Sequence, residues 1–207
     1  IACDAVLSLY ASGRSTGIVW HSGYHSGYIA PVYQGKVIKE AVIANDFGGE
    51  QITQYLKKIL IQRYGYLGGT TVDEKMFDDI KEKLCYVSLD INTEKASDIA
   101  RKYEETLYSN VITIDVERFR APEIIFNPHI IFEYDTNKTQ GIHKDLYQSI
   151  MTCDKDIRDD LYQNIVLSGG NTMFDGLKER IEKEIRNLSP DDQVVKVIAS
   201  PDRQYNT

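Results

Sequence analysis

Along the first sixty residues the apolar positions change period twice. Ala5, Val6, Leu9 and Tyr10 recur at helical spacing, which predicts an amphipathic helix over Ile1–Ala11 that stops at Gly13. Three β-branched and aromatic runs follow, Gly17–Ser22, Gly27–Tyr33 and Lys36–Ala44, with Gln34-Gly35 as the second turn, and they read as a strand meander. Gly48-Gly49 opens a helix whose stripe is Ile52, Tyr55, Leu56, Ile59 and Leu60, ending near Gly65. Thr71 with Glu74 has capping-box spacing ahead of a second stripe, Phe77, Ile80 and Leu84.

The middle of the chain is mixed. Glu94–Arg101 fits a helix, whereas Val111–Asp115 reads as a strand in a hairpin. Pro122 and Pro128 bracket a loop or short helix, and Ile130–Tyr134 is apolar without a clear period. His143–Thr152 and Asp156–Gln163 read as helices. Ile165–Leu167 is a strand, Gly169-Gly170 a turn, and Asp175 an N-cap for a helix that places Leu177, Ile181, Ile185 and Leu188 on one face until Pro190. Val194–Ala199 reads as a final buried strand. Meander, helices, then strand–helix–strand predict an α/β sheet flanked by helices, formed by residues 1–47 and 138–207, with a mainly helical lobe, 48–137, inserted.

With 207 residues, 42% of them hydrophobic, the chain can bury a substantial core. A formal charge of −7 with no basic stretch argues against nucleic acid or an anionic membrane as partner. No apolar run reaches membrane-spanning length. Cys3, Cys85 and Cys153 lie far apart without CxxC spacing, as expected of reduced thiols in a cytoplasmic protein. A helix beginning at residue 1 without a capping residue, and a last residue in a loop, read as a piece of something longer.

Two segments carry candidate chemistry: Thr16–Tyr28 (TGIVWHSGYHSGY) and Asn164–Gly176 (NIVLSGGNTMFDG). In each a strand stops at Ser-Gly, and glycine lets backbone N–H groups approach phosphate oxygens closely. Tight turns without a ligand would have the same sequence. The tandem repeat HSGYHSGY offers His21 and His25, with Asp4, as a metal group, but spacing across a β-turn does not put the two rings on one face; a surface hairpin is the better reading. His21-Ser22 as a nucleophile pair is weaker, since adjacent strand residues face opposite ways. His129 and His143 read as ordinary polar residues.

Five longer stretches resemble the actins and actin-related proteins: AVLSLYASGRSTGIV (Ala5–Val19), DIKEKLCYVSLD (Asp79–Asp90), VITI with ERFRAPE (Val111–Glu123), CDKDIRDDLYQNIVLSGGNTMF (Cys153–Phe174) and VIASPDRQY (Val197–Tyr205). The resemblance implies an actin-like, ribonuclease H-like mixed five-stranded sheet. It further implies that this is the family's large half, subdomains 3 and 4, and a cytoskeletal setting with actin-like subunits and actin-binding proteins as partners. In that family ATP and a divalent ion sit between two hairpins. The resemblance places the nucleotide against Ser22, Gly23, Gly49, Lys81, Glu82, Gly169, Gly170, Met173 and Arg203. Spacing alone would make Lys81 and Glu82 a solvated helix face.

Departures cluster where the γ-phosphate would lie. The family's Asp-Ser-Gly-Asp-Gly falls on His21-Ser22-Gly23-Tyr24-His25, its water-positioning Gln on Asp4, and its following His on Tyr28. Asn171, Phe174 and Gln204 replace Thr, Tyr and Lys. Mg²⁺ and Ca²⁺ want oxygen ligands, so imidazole and phenol are poor substitutes, and a weak hold on ATP or ADP with little or no hydrolysis is expected. HIIFEYDTNKTQ (His129–Gln140) replaces a short apolar plug loop, which disfavours ordinary filament packing. If the small half is absent, Val6, Leu7, Leu9 and Tyr10 are uncovered, and a homodimer, swapped or not, is expected. The alternative is the nucleotide-binding half of a working ATPase that polymerises.

Overall fold

The computed structural model describes residues 4–65, 72–94, 99–104, 111–131 and 140–205, with the backbone alone for 72–74. Helix α1 (Asp4–Ala11) is followed by strands β1 (Gly17–Ser22) and β2 (Gly27–Tyr33), which pair antiparallel through the turn at 23–26. β3 (Lys36–Val37) and β4 (Ile43–Asn45) both pair with β2. Helices α2 (Gly49–Tyr64) and α3 (Val72–Leu84) precede a two-stranded hairpin, β5 (Arg101–Glu104) with β6 (Val111–Ile114). After the short α4 (Glu117–Arg120) come α5 (Ile142–Thr152), α6 (Lys155–Tyr162), β7 (Ile165–Ser168), α7 (Leu177–Leu188) and β8 (Val197–Ile198).

The main sheet runs β3-β2-β1-β7-β8, with β4 on β2, so it is mixed and has six strands. β1 meets β7 in parallel, pairing His21 with Ser168. Alternation sorts the strand residues onto two cores. Ile18, Trp20, Ile29, Ile165 and Leu167 join the larger cluster with α2, α5 and α7, while Val19, Ala30, Val32 and Val166 meet Ala5 and Leu9 of α1.

Several expectations change. Six strands replace five because Lys36–Ala44 breaks at a 3₁₀ turn, Lys39–Ala41, whose own hydrogen bonds displace the ladder. The break tucks Ala41 under α5, where Ser149 Oγ donates to its carbonyl at 2.6 Å. Val194–Ala199 shortens to Val197–Ile198. Asp175 does not cap α7: its carbonyl takes the Val87 N–H, and Gly176, at φ 78°, holds the cap position. On α1, Leu7 and Tyr10 are exposed as expected, but Leu9 is fully buried against the sheet. Arg101 opens a strand rather than closing a helix. Pro128–Ile130 is a single 3₁₀ turn. Cys3, Thr71, residues 95–98 of the proposed helix and 132–139 of the plug-loop segment lie outside the described residues, as does the Glu74 side chain.

A buried ion pair ties the 3₁₀ turn Pro122–Ile125 to α7. Arg180 donates to Glu123 at 3.2 and 3.3 Å and to Ser88 O at 2.7 Å, with its guanidinium 4.7 Å from the Phe126 ring centre.

Candidate functional site

The parallel β1–β7 pairing sets the two glycine turns side by side at the C-terminal ends of these strands. Contact there is too close for a side chain. Gly169 has φ 91°, and a Cβ on it would stand 2.4 Å from Ser22 O; at Gly48 a Cβ would stand 2.5 Å from Tyr24 O. The start of α2 is docked directly on the first turn, with Gly49 N donating to Gly23 O and Glu50 N to Tyr24 O. Gly23 N closes the turn on Ser26 O. These amides, which an anion would otherwise recruit, are therefore satisfied within the protein.

A cavity of about 470 Å³ lies between the turns and α3, a volume in the range of small-molecule sites. Of the expected residues it brings together Gly23, Gly49, Lys81, Glu82, Gly170 and Met173. Ser22 and Gly169 sit just behind its wall. Ser22 is buried and accepts from Asn171 Nδ2 at 3.0 Å, and Gly169 N donates to Arg203 O. Arg203 is a brace, giving its guanidinium to Thr172 O and Ser200 O, while its neighbour Gln204 faces the cavity. Asp4 does not line the cavity; it acts at a distance on His21. Lys83, Cys85 and Asp175 line it although the sequence offered none of them as a site residue, whereas Tyr24, Asn171 and Phe174 were already conspicuous as substitutions.

Lys81 is neither on a solvated face nor available to a ligand. It is 5% exposed, and its ammonium donates to Thr53 Oγ1 at 2.7 Å, Asp78 Oδ1 at 2.8 Å and Gly49 O at 3.3 Å. An ammonium has three protons, so all are used. Tyr24 covers it, with its ring centre 5.0 Å from Nζ and its hydroxyl donating to Asp78 Oδ2 at 3.3 Å. Burial pushes the Asp78 carboxyl up, but the hydrogen bonds from Lys81 and Thr53 outweigh it and hold the group below its usual range.

The charges around the cavity are unevenly matched. Its two cations are paired, Lys81 with Asp78 and Lys83 with Asp79 at 2.7 Å. Its two carboxylates, Glu82 and Asp175, have no ion-pair partner among the described residues. The charges left unpaired on the lining are therefore acidic, with Arg203 behind the wall acting on Asp175 from a distance. Cys85 brings no nucleophile, since burial pushes its thiol up to about 12.

The two histidines of the repeat diverge. His21 is half-buried, stacked on Tyr28 at 5.1 Å between ring centres, with Nδ1 3.3 Å from Ser168 Oγ. Burial lowers its pKa more than Asp4 raises it, so the ring is neutral at pH 7. Ser168 is fully buried, which closes it to a substrate. His25 is exposed and pairs with Glu50 at 3.1 Å. Among the described residues no group of three or more His, Cys, Asp or Glu is placed to hold a metal ion.

Compared with known protein families, the sequence matches one family model, described as Actin, over residues 1–207.

Proposed function

The chain belongs to the actin family, whose members have cytoskeletal or nucleotide-binding roles, and from that premise we propose that it serves as a cytoskeletal structural and interaction module with little or no ATP hydrolysis. The observation that carries this reading is the state of Lys81. All three protons of the cavity's buried cation are spent inside the protein, and the other lining cation, Lys83, is paired on the surface, so a polyphosphate would meet Glu82 and Asp175 with only Arg203, behind the wall, to offset them. The first hairpin adds a neutral imidazole and a phenol where Mg²⁺ or Ca²⁺ would need carboxylate oxygens.

On this reading residues 1–47 with 138–207 form a ribonuclease H-like lobe of the actin type and 48–137 the inserted lobe. Its partners are actin-like subunits, actin-binding proteins or a second copy meeting at Leu7 and Tyr10 of α1, which are 48% and 53% exposed. The setting is the cytoplasmic cytoskeleton. No helix among the described residues is long and apolar enough to cross a membrane.

One observation favours the alternative of a working ATPase half: the 470 Å³ cavity, with Glu82, Gly170 and Met173 on its wall, has room for a nucleoside. Calorimetry with ATP and ADP, with Mg²⁺ and with Ca²⁺, separates the two, run on the wild type and on a His21→Asp/Tyr24→Asp double variant beside a phosphate-release assay. The module reading expects negligible turnover and weak binding that the double variant improves with Mg²⁺. Steady phosphate release by the wild type would overturn it. Sedimentation that finds only monomer at high concentration would remove the second copy from the partners.

A further inference from the structure

On the far side of Asp175 lies a second pocket, of about 320 Å³, whose chemistry is opposite in sign. Its floor is the backbone bridge between Tyr86-Val87 and Asp175-Gly176, and its walls are Ile99, Arg101 and Arg118. Arg118 is held rigidly. Its guanidinium lies 4.9 Å from the Tyr86 ring centre, Nε donates to Leu84 O at 2.7 Å, and Nη1 donates to Ile99 O. A guanidinium has five N–H donors, so three remain for an occupant.

Neither arginine has a carboxylate within ion-pair distance among the described residues; Arg101 donates only to the adjacent Ala100 O. Burial lowers the Arg118 pKa, and the strongest charge acting on it is the like charge of Arg101, ahead of the attraction from Glu94. The Glu94 carboxylate is engaged instead by the Tyr86 hydroxyl, at 3.1 Å. Two guanidinium groups thus line one pocket without a carboxylate partner among the described residues, and a planar fork of donors matches a tetrahedral oxyanion. The pocket's volume of about 320 Å³ exceeds that of a phosphate, and Val87 and Ile99 give it an apolar side for the body of an ester.

The geometry points to a phosphate-binding site between Arg101 and Arg118 that takes a phosphate monoester with a small apolar group. Asp175 is the one carboxylate among the described residues that line the pocket, and it limits affinity. The proposal does not rest on the reading given to the first cavity, although Asp175 lines both.

Calorimetry at low salt with inorganic phosphate and with phenyl phosphate tests the proposal. Both bind, phenyl phosphate the tighter, and the affinity falls as salt is raised. If inorganic phosphate binds as tightly as phenyl phosphate, the ester assignment is wrong. Arg101→Gln, at an exposed position, weakens binding roughly tenfold, the worth of one charge-assisted hydrogen bond. Arg118→Lys keeps the charge but loses the fork, and weakens it at least as much. Asp175→Asn strengthens binding, which a purely structural role for Asp175 would not produce. No heat with either phosphate, or binding that Arg101→Gln and Asp175→Asn both leave unchanged, would overturn the proposal.

Discussion

Replacing Lys81 with methionine separates a lysine that braces the fold from one that meets a ligand. Methionine keeps most of the buried stem but removes the donors to Thr53, Asp78 and Gly49 O. Breaking one side of a buried ion pair costs about 3–5 kcal/mol. The Asp78 side chain is 28% exposed, so water replaces part of the lost cation, and the expected loss is about 2–3 kcal/mol. For a domain of this size that lowers Tm by roughly 4–12 °C. Urea denaturation at pH 7 and pH 3 is the assay. The Asp78 pKa is depressed in the folded state, so the pair's stabilisation is present above the ordinary carboxylate value and is lost as pH falls through the lower folded value. The gap between wild type and variant must therefore shrink at pH 3. A stability loss under about 0.5 kcal/mol, or a gap indifferent to pH, would refute the bracing role. Unchanged stability with abolished ATP binding would restore Lys81 as a ligand contact.

Glu123→Ala strands the Arg180 guanidinium in the core and should cost about 3–5 kcal/mol in denaturant unfolding, while Glu123→Leu with Arg180→Met should recover most of it. Gly169→Ala sets a Cβ against Ser22 O at a positive φ and should cost about 2–3 kcal/mol, measurable as a lowered denaturation midpoint with the same slope. His21 and His143 both have pKa values lowered by burial, so their neutral forms support the fold. Stability should be full above the ordinary histidine value of 6.5 and decline as pH drops below it. A double His21→Gln/His143→Gln variant should flatten that decline between pH 7.5 and pH 5.5, read from urea midpoints.

The strands that carry β-branched residues on both faces were legible in the sequence because they sit in the middle of the sheet: β1, β2 and β7 agree with the hydrophobic runs to within a residue. Edges were less so. Lys36–Ala44 keeps a strand-like composition, but Ala41 packs better under α5 in a turn than in a ladder, and no local pattern records that contact. The same holds for Asp175. Its type favours a cap, yet the bridge to Tyr86 comes from a segment 89 residues earlier. At the site, the glycines were legible because close backbone approach leaves few other choices. The fate of Lys81 was not, since Thr53 and Gly49 O reach it from α2, and charge spacing on α3 gives the opposite impression. Arg101 and Arg118 lie seventeen residues apart in elements whose signals were ambiguous, and only the fold places both on one pocket.

The β1–β7 ladder joins Ile18–His21 to partners 147 positions later. During synthesis the β1–β4 meander is made well before β7, so the margin of β1 that β7 covers stays an open template until Ile165–Ser168 has been made. Closing so wide a loop is slow, and it leaves time for that margin to pair with a neighbouring nascent copy instead. The arrangement that brings the two glycine turns together thus also sets the period in which the newborn chain is most vulnerable.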